Sequence, residues 1–353
     1  MKRDMKRWLE ELRGAPVKKA MPVLSFPAIQ LMGISVRELI SSSDAQARGM
    51  HLVAQRTDAA ASVSLMDLSV EAECFGSAIR VSDEEVPTVV GSIVSTEEEA
   101  RALAVPPVGA GRTGLYIEAI EKAVGLITDR PVFAGVIGPF SLAARLLDVT
   151  EIMIYCYEEP DMVHVLLEKA TQFITEYCKA YKEAGANGVV IGALTPDGEL
   201  DLAQMRRMMA CAGQMEVTLH RAFDMTRDPF RALEDAVSLG CRTILSSGQA
   251  ANAALGAPLL AKLNAQAAGR IDLMAGCGVK KTNIAQIAAQ TGITTFHTTG
   301  RKGSVDSGMR YRKEGVSMGL PSLSEYELWL TDEAEFRACA ETVHALGTPG
   351  AQA

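Results

Sequence analysis

"GANGVVIGALTPDGELD", residues 185–201, places a short apolar run, Val189 to Ile191, ahead of the turn chemistry of Pro196-Asp197-Gly198. It reads as a buried strand entering a loop, and the rhythm of the chain changes across it. Upstream, strand-like runs begin at Ala20, Ala59 and Pro131, spaced about 39, 72 and 56 residues apart on the way to Asn187. Downstream they begin at Glu216, Arg242, Ile271 and Thr294, about every 23 to 29 residues, the length of a minimal strand–helix unit.

Helical patterns separate most of these eight runs. "DMVHVLLEKATQFITEYCKAYKEAG" carries apolar residues at three and four spacing and closes on Gly185, and "DPFRALEDAVSLG" opens on Asp-Pro and closes on Gly240. Eight alternations predict an α/β chain folded as a single (β/α)8 TIM barrel. An open doubly wound sheet is the weaker alternative, because no GxGxxG follows the first strand. The longest insertion, "IRVSDEEVPTVVGSIVSTEEEARALAVPPVGAGRTG", predicts a hairpin, then a helix starting at Ser95-Thr96 with its acidic first turn, then a Pro/Gly loop. "GAGRTG" lacks the Gly-Lys-Ser/Thr of a phosphate loop, so nucleotide binding is not expected there.

The 353 residues are 48% hydrophobic with a net charge of −8, which argues against nucleic acid or an anionic membrane as partner. "PVFAGVIGPFSLAARLL" is too short and too broken by Pro, Gly and Arg to span a bilayer. The basic start, with "WLEELRG" behind it, has no apolar signal-peptide core. Seven scattered Cys without a CxxC pair suit a reducing, cytoplasmic setting.

In a barrel of this kind the chemistry gathers at the C-terminal ends of the strands. Asp67 stands near the end of the second strand, where an Asp can simply cap a loop. On the fifth, period two sets Thr218 and His220 opposite Val217 and Leu219, so His220 should face the barrel mouth as general base, metal ligand or buried hydrogen-bonded histidine. Asp224 could orient His220 or pair with Arg221. The eighth strand repeats the alternation with Thr295 and His297 about Phe296. Gly276, Cys277 and Gly278 end the seventh strand, and Gly300, Arg301 and Lys302 follow the eighth. Gly-rich loops at these places bind anions through backbone N–H groups, or simply make tight turns. His220, Cys277 and His297 would supply two imidazoles and a thiolate to a metal, although their spacing does not require it. "MRYR", residues 309–312, is a further candidate clamp.

Two resemblances divide the chain. "SLMDLSVEAECFG", "VPPVGAGRTGLYIEAI", "VIGPFSLAARLLDVTEIM" and "YKEAGANGVVI" resemble the uroporphyrinogen decarboxylase superfamily, in particular its corrinoid-linked methyltransferase branch, over residues 1–190. "GALTPDGELD", "VTLHRAFDMTRDP", "ILSSGQ", "MAGCGV", "SGMRYRKEGVSMG" and "EYELWLTD" resemble the copper-homeostasis protein family CutC over residues 186–345, leaving a tail at 346–353. Both families are (β/α)8 barrels. The resemblances together imply a hybrid ring, strands one to three of one type and five to eight of the other, joined in the fourth.

The first resemblance implies that Asp67 occupies the position of the aspartate that cradles pyrrole N–H groups, with a corrinoid or tetrapyrrole as partner. The departures matter as well. The methyltransferase branch holds zinc through a His-x-Cys element and a later Cys; no His-x-Cys occurs here, so zinc is not expected. The paired arginines that follow the first strand in the decarboxylases are also missing, with "FPAIQLMGIS" in their place. The second resemblance implies copper or an anionic small ligand, although the first three strands of the CutC pocket are replaced. Three readings stand: a CutC-like cytosolic binder of copper or a small anion, a decarboxylase-superfamily enzyme working through Asp67, and a folded hybrid without a completed site. Whether the chain is an enzyme stays open.

Overall fold

A computed structural model of the protein describes residues 4–15, 19–21, 26–195, 197–213, 215–306 and 327–346. The architecture is mixed α/β with parallel strand pairing, and the described chain divides into two compact units. The first holds the described residues up to Ile244 together with Arg270–Asp272, and the second holds Leu245–Gly269 and those from Leu273 onward.

The first unit opens with helix α1 (Met5–Gly14), whose Trp8 ring meets Phe133 edge-on at 6.0 Å. Three helices follow, α2 (Pro27–Met32), α3 (Val36–Ile40) and α4 (Ser43–Arg56). The strand expected from Ala20 lies partly on residues 22–25, outside the described residues. Its end is helical instead: Pro27 presets the first helical φ, and Gly33, at φ 65°, closes that helix. Strand β1 is short (Ser62–Val63), and α5 (Val70–Cys74) starts three residues after Asp67. The expected hairpin forms as antiparallel β2 (Ala78–Arg80) and β3 (Thr88–Val90). The expected helix forms as α6 (Glu97–Ala102), with a capping box between Thr96 and Glu99.

Then come α7 (Thr113–Leu126), β4 (Val132–Phe133), α8 (Pro139–Leu146), α9 (Glu151–Glu158) and α10 (Pro160–Glu183). The buried face of α10 runs through Met162, Leu166, Phe173, Tyr177 and Tyr181, the three-and-four spacing that hides one side of a helix. Fully burying a side chain the size of Phe173 contributes roughly 1.5–3 kcal/mol. Gly185, at φ 103°, lets the chain leave this helix and enter β5 (Gly188–Ile191), which α11 (Leu202–Ala212) and β6 (Glu216–Leu219) follow. A 3-10 turn (Arg221–Met225) precedes α12 (Pro229–Leu239), which Asp228 caps and Gly240 ends in the left-handed region, as expected from its sequence.

Parallel strands run side by side in this unit. Ser62 pairs with Val132, the Asn187 N–H donates to the Val132 carbonyl at 3.0 Å, and Gly188 to Ile191 pair with Glu216 to Leu219. Leu219 in turn pairs with Ile244 of β7 (Thr243–Ser246), the strand within which the chain passes into the second unit. β1, β4, β5, β6 and β7 therefore follow one another in the order a strand–helix repeat dictates.

The second unit contains α13 (Ala257–Ala267), β8 (Asp272–Gly276) from Leu273 on, α14 (Ile284–Thr291) and β9 (Thr295–His297). It also holds an antiparallel pair, β10 (Arg301–Asp306) with β11 (Glu327–Thr331), and α15 (Glu333–Leu346). β8 and β9 are parallel, with Gly276 opposite His297. "MRYR" lies outside the described residues, as do the side chains of Arg301 and Lys302. Among the described residues no helix is long and apolar enough to cross a membrane.

Candidate functional site at the strand ends of the first unit

Asp67 is buried, and its carboxylate is saturated. It accepts the Ser69 backbone N–H at 3.0 Å, the Ser69 hydroxyl at 2.6 Å and the Tyr116 hydroxyl at 2.9 Å, and it pairs with the Arg112 guanidinium. Arg112 also reaches Glu73 at 2.6 Å and Ser69 at 3.1 Å. Burial, with the Asp67 charge next, pushes the Tyr116 phenol far above its ordinary range, so it acts here only as a neutral donor. A carboxylate holding four donors has little acceptor capacity left for a substrate. Arg112 comes from the "GAGRTG" loop. Sequence reasoning missed its role because the pairing spans 45 positions and no local pattern announces it.

One helical turn beyond Asp67, the side chain of Glu71 crosses to the loop after β4. Its Oε1 accepts the Ile137 N–H at 3.1 Å, while Oε2 is buried without a hydrogen-bond partner. Only 3% of the residue is exposed. Desolvation dominates its chemistry and pushes the carboxyl up to about 7; the Asp67 charge adds to this, while the Ile137 N–H and Arg145 oppose it.

Ile137 is followed by Gly138, the residue before α8, and there His220 enters. Along β6, Val217 and Leu219 are buried whereas Thr218 is half-exposed, and His220 just beyond the strand is half-buried. The imidazole lies over Gly192, past the end of β5, where a Cβ would meet Cε1 at 2.5 Å. A Cβ on Gly138 would meet Nε2 at 3.5 Å. Gly192 thus clears the space this ring occupies, whereas a side chain at Gly138 would only touch it. Nδ1 accepts the Ala222 N–H at 3.0 Å and caps the 3-10 turn. In the neutral ring that bond assigns the proton to Nε2. Burial holds the imidazole pKa below its ordinary value, partly offset by a backbone hydrogen bond. Among the described residues Nε2 has no hydrogen-bond partner. The arrangement offers a neutral N–H donor beside the start of α8, where the N-cap Gly138 has no side chain to cap the first-turn N–H groups and Pro139 lacks one of its own. Arg221 and Asp224 pair with each other at 2.7 Å, so of its two expected partners Asp224 takes Arg221.

The remaining candidates lie in the second unit. Cys277 is half-buried, takes a left-handed φ of 76°, and directs its Sγ to the Ala251 carbonyl at 3.3 Å. Gly276 is buried, Gly278 is exposed at φ 66°, and His297 is exposed. Gly300 turns at φ 61°, donates its N–H to the Thr298 hydroxyl at 3.1 Å and accepts from Asp332 at 2.9 Å, leaving that N–H no anion to hold. Among the described residues no three His, Cys, Asp or Glu side chains are grouped to hold a metal ion, so His220, Cys277 and His297 do not make the expected set. The physical reason at His220 is local: a ring whose Nδ1 receives a hydrogen bond keeps its proton on the nitrogen a metal would need.

With this geometry in view, the likenesses to known proteins fall into place. The Uroporphyrinogen decarboxylase (URO-D) family model matches residues 10–212, more than half of the chain, and the CutC family model matches residues 129–302. The two matches overlap over β4, α8, α9, α10, β5 and α11. A CutC family protein of Chromobacterium violaceum is 48% identical over 168 residues, 48% of this chain and 66% of the relative, so the chain spans just under two thirds of that protein's length. A CutC family protein of Pasteurella multocida is 38% identical over 210 residues, 59% of this chain and 85% of the relative. A methyltransferase from Methanosarcina mazei shares the fold, with a TM-score of 0.62 at 19% identity over 84% of this chain and 92% of its own. Asp67 and Arg112 lie in the first family's match alone, His220 in the second's alone, and Gly138 and Gly192 where the two overlap. The chain belongs to both the uroporphyrinogen decarboxylase family and the CutC family.

Proposed function

We propose that the protein is a CutC-like binder of a small anionic molecule, held at the end of β6 with His220 as the central donor. The observation that carries this reading is the capped imidazole: Nδ1 is occupied by the Ala222 N–H, and Nε2 lies 3.5 Å from where a Cβ on Gly138 would stand, at the start of α8. The structural counterpart of the reading is one (β/α)8 ring, with residues 1–190 and 186–345 as its two parts and β5 as the joint. Gly276 and Gly278, with Arg301 and Lys302, are a separate candidate for the same class of ligand in the second unit.

Copper, which the CutC family name brings with it, fits the described residues less well, because the nitrogen His220 presents carries a proton and no second and third donor accompany it. Chemistry at Asp67 with a corrinoid or tetrapyrrole is less favoured too, since Arg112, Tyr116 and Ser69 already occupy that carboxylate.

Isothermal titration with sulfate, and separately with Cu(I) under reducing conditions, tests the reading. Saturable sulfate binding that weakens at least tenfold in a folded His220→Ala variant is the expected result. Cu(I) binding lost in that variant, with sulfate ignored, would restore the copper reading.

A further inference from the structure

Glu71 is the buried group that this reading leaves unused. Its side chain is the link between the decarboxylase-type part of the chain and the loop that abuts His220. Oε1 grips the Ile137 N–H, Gly138 follows directly, and a Cβ on Gly138 would touch the Nε2 of His220. The second oxygen is sealed from solvent without a hydrogen-bond partner. An ionised carboxylate cannot occupy such a place cheaply, whereas a neutral acid can use its carbonyl oxygen for the Ile137 N–H and keep its proton on the other.

We propose that Glu71 is a proton-controlled positioning residue for the His220 site: as a neutral acid it fixes the Ile137–Gly138 turn, and its ionisation weakens anion binding beside that turn. The inference rests on the anion reading above and adds its regulation.

The surroundings set the sense of the effect. Asp67 precedes Glu71 and raises the cost of a second negative charge, although Arg112 takes up much of the Asp67 charge. Arg145 faces it from α8 and favours ionisation. From α10, Tyr177 and Tyr181 hydrogen-bond each other at 2.7 Å, and Cys178 lies beside them; burial pushes all three up, so they stay neutral. Tyr116 on α7 and Cys74 on α5 are likewise raised by burial and stay neutral. Within this shell Glu71 is the group that changes charge near neutrality, when its carboxyl passes about 7. His220 does not confound the range above its ordinary value, since burial has already lowered it.

Sulfate is the probe, because it keeps its charge across this range. Titration calorimetry of the full chain from pH 6.5 to 8.5 should show affinity falling about fivefold or more in the wild type. Glu71→Gln, which keeps an acceptor for Ile137 but cannot ionise, should bind sulfate with less than twofold change. In wild-type protein carrying 13C-labelled Glu carboxyls, one resonance should titrate near neutrality, a measurement that needs no variant to fold. No such resonance, or the same pH dependence in the wild type and Glu71→Gln, overturns the proposal. Failure of sulfate to bind the wild type at any pH, with the neutral-range resonance present, overturns the His220 reading and the regulation with it; a missing resonance with sulfate bound overturns only the role of Glu71.

Discussion

Asp67 and His220 both follow the C-terminal end of a parallel strand, Asp67 four residues after β1 and His220 directly after β6, and their bonding differs. The Asp67 carboxylate receives two donors from Ser69, one from Tyr116 and an ion pair from Arg112. His220 spends one nitrogen on its own turn, and the other lies beside Gly138 without a hydrogen-bond partner among the described residues. Position on the fold therefore does not by itself set what a strand-end residue has left to offer a ligand; the hydrogen bonds it already makes do. In the first case the family's expected catalytic group has the bonding of a structural element. In the second, a residue from the other family's segment sits beside a loop that both families share.

The largest effect should come from breaking the saturated side. Arg112→Met removes the partner of a fully buried carboxylate and should destabilise the fold by roughly 3–5 kcal/mol, read from urea unfolding. A loss below about 1 kcal/mol would mean that Asp67 is not held as a buried ion pair, and would reopen its candidacy as a chemical group.

Next is the pH dependence of stability set by Glu71. Its carboxyl titrates at about 7 in the folded chain against 4.5 for an unperturbed group. The folded state thus binds the proton more tightly. The associated stability is complete below about 4.5 and is lost as the pH rises through 7, in total about 3 kcal/mol by linkage. Compared with Glu71→Gln, the wild type should lose stability between pH 5 and 8; parallel curves would show that the buried carboxyl does not titrate there.

Gly192→Ala comes third. Its Cβ would meet the imidazole at 2.5 Å, so the ring must move or the backbone shift, at a cost of about 1–3 kcal/mol. Sulfate affinity should fall with it, because the displaced ring no longer presents Nε2. Unchanged affinity in the folded variant would separate the anion from His220.

What could be read from the sequence follows the range of the interactions. The cap at Asp228, the left-handed Gly240, the capping box at Thr96 and the alternation along β6 are local, and each formed as its residues demand. The change of strand spacing near Gly185 was legible too, and it lies inside residues 129–212, which the two family matches share. Arg112 and Glu71 were not legible. One sits in a Gly-rich loop whose local reading is a turn, and its partner is 45 positions away. The other sits in "VEAE" on a five-residue helix, where two glutamates two positions apart look alike until tertiary packing buries one and leaves the other beside Arg112. Alternation along β9 fixes a face and not its burial: His297 is exposed, whereas His220 is half-buried.

The smallest effect on stability should come from Gly138→Ala, and it locates the ligand most sharply. Gly138 has an ordinary extended backbone, φ −73° and ψ 155°, so alanine is not strained there. Its Cβ would meet Nε2 at 3.5 Å, normal van der Waals contact, and exchanging Gly for the less favoured Ala at an N-cap costs about 0.5–1 kcal/mol. The fold should hardly change. Yet the new methyl would stand beside Nε2, where a bound oxygen must come within about 3 Å of the nitrogen. If the anion sits there, sulfate affinity should fall about tenfold while stability stays within about 1 kcal/mol of the wild type. If both are unchanged, the Nε2 proton points at no ligand, and His220 would resemble Asp67 after all: a strand-end residue whose bonding serves the fold.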